Sequence, residues 1–176
     1  MALDPHAAKQ VLAAINRDEL AQLDCALTDI PSPTGQEKAI ADHILAWFRA
    51  NGLKAIAQEV EIGRPNAVGV LKGTGGGLSL GFNGHTDTSY TGTVEDLRMI
   101  AEVEPESELR GVIVGDKVRG LGISNMKGGL AAFMMAGVEP IDPASPAPLI
   151  PSGLVVEGTF LVSNRKLGRL SARGSV

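Results

Sequence analysis

The stretch IPSPTGQEKAIADHILAWFRANG (30–52) constrains the fold more than any other part of the chain. Ile40, Ile44, Leu45 and Phe48 recur at helical spacing and form one apolar face, and Asn51-Gly52 supplies a C-terminal stop. Thr34, with Glu37 three residues later, matches a capping box at the start of this helix. After Gly52 the period changes: KAIAQEVEI alternates at Ile56, Gln58, Val60 and Ile62, the spacing of a strand with two unlike faces. A helix with one apolar stripe followed at once by alternating strands predicts an α/β domain in which helices cover a sheet.

The rest of the chain fits that frame. From Ala7 to Leu27 apolar residues (Val11, Leu12, Ile15, Leu20, Leu23, Leu27) keep helical spacing, with an interruption near Arg17-Asp18 that predicts the start of a second helix. NAVGVLKG and LSLGFNGH are short apolar runs bounded by glycine, and GVIVGDKVRG turns at Gly115-Asp116, so all three regions are predicted strands. From Gly128 a helical pattern returns (Leu130, Phe133, Met134, Val138), with its methionines read as core filler. The segment EPIDPASPAPLIPSG (139–153) holds five of the ten prolines and therefore reads as an exposed connector, not a helix interior. A last strand is predicted over roughly Leu154 to Ser163.

Composition narrows the function classes. A net charge of -4 offers no basic surface, and 3% aromatic residues leave little for base stacking, so no nucleic-acid partner is expected. The single Cys25 excludes an internal disulfide framework. The opening MALDPHAAKQ lacks the apolar core of a signal peptide and no later run reaches membrane-spanning length, which predicts no membrane partner and a cytoplasmic location.

Two stretches carry chemistry. The glycine-rich GLGISNMKGG (120–129) has the texture of an anion cradle, but a phosphate loop needs Ser or Thr after Gly-Lys, and Lys127 is followed by Gly128. The remaining local reading is a turn between a strand and a helix, with Asn125 tolerating a left-handed backbone and Gly128 and Gly129 opening the helix. In GFNGHTDTSY the apolar run Leu78 to Phe82 leads into His85 and Asp87, at the C-terminal end of a strand, where open α/β sheets place ligands. His-x-Asp on a strand puts both side chains on one side, so Asp87 can steady His85 directly or through water and present its other nitrogen to a metal. Taken alone, the pair reads first as a hydrogen-bonded strand end. His43, at the edge of the apolar helix face, and His6, near the terminus, are weaker ligand candidates.

Taken in order, GHTDT, VRGLGISNMKGGLAAFMMA and the strand ending in TFLVSNRKLGRLSARG resemble the zinc metallopeptidase and deacetylase family of acetylornithine deacetylase, succinyl-diaminopimelate desuccinylase, aminoacylase and carboxypeptidase G. The resemblance runs from about Leu20 onward. It implies the first half of a mixed-sheet zinc-exopeptidase-like catalytic domain with flanking helices. The whole chain, 1–176, is then a partial catalytic domain, with the lid and dimerisation domain absent. It also implies a metal-dependent hydrolase of amide bonds in N-acyl amino acids or small peptides, using zinc or cobalt.

Residue by residue, the resemblance makes His85 a metal ligand and Asp87 the residue that orients it. The family's second motif carries a metal-bridging Asp where this chain has Asn125, an amide that coordinates without charge. The third motif, laid on SNRKLG, puts Asn164, Arg165 and Lys166 where the family has Asp, the general-base Glu and a zinc-binding Glu. Arginine stays protonated at any working pH, so Arg165 cannot act as that base. In a shifted register across 139–153, Arg165 and Lys166 are ordinary surface charges. These departures, and a chain about half the family's length, predict weak metal binding and no catalysis by this chain. The alternative is a pseudoenzyme or interaction module that retains the fold. A half-domain is further expected to leave the Leu154–Val162 strand open to pairing and hence to self-associate.

Overall fold

The computed structural model describes residues 15–72, 79–93, 95–96, 109–137 and 157–162, with isolated positions 9 and 13. The connector 139–153 and the residues Asn164, Arg165 and Lys166 lie outside these, as do most of the residues preceding Ile15.

Helix α1 spans Arg17–Thr28, at the predicted restart. Asn16 caps it, its side-chain oxygen accepting from the backbone N–H groups of Asp18 and Glu19 at 3.1 and 3.2 Å. Helix α2 spans Lys38–Ala50 and buries Ile40, Ile44, Leu45 and Phe48, the predicted face. Its start differs from the predicted capping box. Glu37 occupies the cap position without capping: fully buried, its carboxylate takes both arms of the Arg64 guanidinium at 2.7 and 2.9 Å and the N–H of Gly35 at 2.7 Å. Thr34 turns instead toward Asp87.

Strands β1 (Lys54–Glu61) and β2 (Arg64–Leu71) form a hairpin through Ile62-Gly63, where Gly63 takes the positive φ of 76° that the turn requires. Strand β3 is Ser79–Gly84; β4 (Val112–Val114) and β5 (Lys117–Arg119) make a separate hairpin through Gly115-Asp116, as predicted. A kinked turn over Ile123–Lys127, in which Asn125 and Met126 are not helical, leads into α3 (Gly128–Ala136), and β6 is Glu157–Val162.

The main sheet has the order β1-β2-β6-β3, with β6 antiparallel to β2 and parallel to β3, so it is mixed. This corrects the expectation of an open last strand: β6 is paired on both sides, and the edges are β1 and β3. Both α2 and α3 cover one face. Gly69 lies so close beneath Phe48 of α2 that a Cβ there would come within 2.9 Å of the ring. Phe82, which shares a row with Gly69 through Phe160, stacks on Phe133 of α3 at 5.1 Å. The opposite face exposes Ile56. No helix among the described residues is long and apolar enough to cross a membrane.

Candidate metal site

The chain leaves β3 at Gly84 and is immediately tied down. Residues 32–34 run parallel to 86–88: Ser32 Oγ donates to the Thr86 carbonyl at 2.7 Å, Thr88 N–H to the Ser32 carbonyl at 2.8 Å, and Thr34 N–H to the Thr88 carbonyl at 3.2 Å. Ser32, Thr86, Asp87 and Thr88 are all buried. Thr34 Oγ1 donates to Asp87 Oδ2 at 2.7 Å, which fixes the carboxylate from behind. The Glu37–Arg64 ion pair holds the turn on which Thr34 sits.

His85 projects from this frame with its side chain 28% exposed. Its Nδ1 lies 3.0 Å from the Asp87 carbonyl oxygen and equally 3.0 Å from Asp87 Oδ1. Hydrogen-bond geometry favours the carbonyl and leaves the buried Oδ1 without a hydrogen-bond partner. Asp87 therefore meets the ring through its backbone as well as its carboxylate. On the other side, His85 Nε2 stands 2.8 Å from Asn125 Oδ1. The structure thus brings His85, Asp87 and Asn125 to one place.

Asn125 is exposed and sits in extended backbone (φ -145°), not the left-handed conformation expected of it, because Gly120 and Gly122 take the positive φ values of this loop; its peptide bond to Met126 is cis. The loop around it is anchored at both ends. Gly122, at φ 87°, packs against Thr88, where a Cβ would come 2.7 Å from the threonine methyl. Lys127 is 2% exposed, and its Nζ donates to the Ile30 carbonyl at 2.8 Å; desolvation pushes its pKa down to about 8. Met126 fills the space above Gly84. Below the loop, burial raises the pKa of Asp24 to about 6, and its Oδ1 has no hydrogen-bond partner.

Zinc in a catalytic site takes three protein ligands, and a two-zinc site needs bridging carboxylate. No cluster of three His, Cys, Asp or Glu side chains able to hold a metal ion occurs among the described residues, His43 included. One imidazole and one neutral amide do not fit a two-zinc centre. Sequence reasoning gave Thr34 and Glu37 only as a helix cap and Lys127 only as part of a glycine-rich turn, and missed the partners that Thr34, Lys127 and Glu37 take in the fold. Their partners are 53, 97 and 27 residues away, and no local pattern signals them.

No protein-family profile matches the chain. It is 32% identical over 126 residues to the N-formyl-4-amino-5-aminomethyl-2-methylpyrimidine deformylase of Halalkalibacterium halodurans, a match covering 69% of this chain and 28% of the deformylase. Among solved structures, a tripeptidase from Staphylococcus aureus shares its fold at TM-score 0.59 and 22% identity, over 86% of this chain and 37% of the tripeptidase. Human carnosine dipeptidase 1 does so at TM-score 0.66 and 14% identity, over 97% of this chain and 37% of its own. The chain spans about 28% of the curated relative and 37% of these structures. In sequence and in fold, the chain resembles part of the zinc metallopeptidase and deacetylase family.

Proposed function

We propose that the chain carries the first part of a metal-dependent amidohydrolase active-site fold and that, as this chain, it does not hydrolyse amides. The lineage suggests substrates of small size with one amide bond, such as N-acyl amino acids, short peptides or N-formyl amines, and zinc or cobalt as the metal. A cytoplasmic setting belongs to the same proposal. The observation that carries the reading is Asn125 against His85 Nε2: the residue facing the candidate ligand nitrogen is an amide without charge. The motif reading of Arg165 and Lys166 at the base and second-ligand positions supports it. Metal is expected to bind weakly, through His85.

An interaction module that keeps the fold is a second reading, favoured by Ile56 and Val60 on the edge strand β1 and Ile62 in the turn after it, all exposed. Purified chain with added zinc or cobalt should give no metal-dependent turnover of N-acetylated amino acids, N-formyl amines or dipeptides. Clear metal-dependent hydrolysis overturns the noncatalytic reading.

A further inference from the structure

The hydrogen-bonding inventory around His85 restricts what Asn125 does. Nδ1 faces two oxygens at 3.0 Å, the Asp87 carbonyl and Oδ1. Both only accept when the carboxylate is ionised, so Nδ1 carries the ring hydrogen. In the neutral ring Nε2 then presents a bare lone pair, and the group 2.8 Å from it must be a donor. A carboxylate cannot donate. An amide can, because a half-turn about its last bond exchanges Oδ1 for Nδ2 and keeps the contact.

The observed 2.8 Å is the length of a hydrogen bond.

We propose that Asn125 plugs the metal-facing nitrogen of His85: its side-chain amide donates a hydrogen bond to Nε2 and competes with a zinc ion there. The loop 120–129 is thereby joined to the end of β3 without any metal. With aspartate at position 125 the same contact would set a carboxylate against a lone pair and would require a proton or a metal cation between them.

The zinc arm of the test rests on the reading of His85 as a metal-facing side chain; the tautomer arm does not. Zinc is titrated calorimetrically into chelator-treated wild type and Asn125→Ala. Because a net hydrogen bond changes an equilibrium constant by a factor of about two to ten, the alanine variant is expected to bind zinc two- to tenfold more tightly. Weaker binding would make Asn125 a ligand, and unchanged binding would make it a bystander; either overturns the proposal.

If the variant fails to fold, or neither chain binds zinc measurably, the imidazole nitrogen shifts of the unmodified chain decide. They are read by NMR at a pH where the ring is neutral and assigned to His85 by comparison with His85→Gln. Hydrogen on Nδ1 with a hydrogen-bonded, bare Nε2 is expected, and hydrogen on Nε2 overturns the plug. Turnover in the assay for the noncatalytic reading would leave the tautomer result unaffected, so the two readings fail separately.

Discussion

The segment 85–88 and the loop 120–129 meet at His85 Nε2, but they are held in different ways. The strand end is built into the protein: Thr86, Asp87 and Thr88 are buried, and Ser32 and Thr34 bond them from a neighbouring segment that is itself pinned by Glu37 and Arg64. The loop is anchored by a buried lysine and close glycine packing, yet the residue it offers to the site is exposed. Preorganisation is therefore unequal across the site. The half that presents the histidine has several independent supports, whereas the half that meets it contributes one amide in contact with water.

Glu37→Ala should produce the largest effect. It leaves the Arg64 guanidinium and the Gly35 N–H without the buried carboxylate that both now use, and breaking a buried pair by removing one partner costs about 3–5 kcal/mol. Chemical denaturation of the variant measures this. A loss below about 1 kcal/mol would show that the strand end stands without its turn and would break the contrast between the two halves. Thr34→Val is next, at about 1–2 kcal/mol, because Asp87 Oδ2 keeps its burial and loses its donor. Its unfolding midpoint should fall while the slope of the transition is unchanged.

These positions also mark where sequence reading stops. The body of α2 was legible because burial at 40, 44, 45 and 48 is a periodic property of a short segment. Its N-terminus was misread because Thr34 and Glu37 fit a local cap and found stronger partners in Asp87 and Arg64. The strands were legible, but the central place of β6 was not, since a crossover leaves no mark on a two-residue period. In the site, His85 and Asp87 stood out because a spacing of two suffices to bring an imidazole and a carboxylate together just beyond a strand end. The contact with Asn125 spans 40 residues and came only through a family motif.

Asp24 sharpens the contrast on the loop side. Desolvation raises its pKa to about 6, so between about pH 4 and 6 the folded chain holds a proton that the unfolded chain has released. Stability should therefore fall as pH rises through that window and stay level for this group above it. A change of about 1–2 kcal/mol is expected after allowing for solvent near the half-buried side chain. Asp24→Asn should remove that part of the slope. An unchanged slope would mean that the space beneath the loop is wetter than the burial of Oδ1 indicates.

The smallest effect is expected where the two halves meet. Asn125→Ala removes a contact between two solvent-accessible side chains and should cost less than about 1 kcal/mol, measured in chelator to keep metals out. Asn125→Asp sharpens this further. In chelator, at a pH where the ring is neutral, its carboxylate faces the Nε2 lone pair and should destabilise the chain by a similar small amount. With zinc added, the new charge beside His85 should reverse the sign, since a ligand that binds only the folded state stabilises it in proportion to the logarithm of its concentration over Kd. Zinc should thus raise the melting temperature of Asn125→Asp more than that of wild type, without conferring turnover. Equal shifts would mean that the loop half is as fixed as the strand half and cannot bring a carboxylate onto the ion.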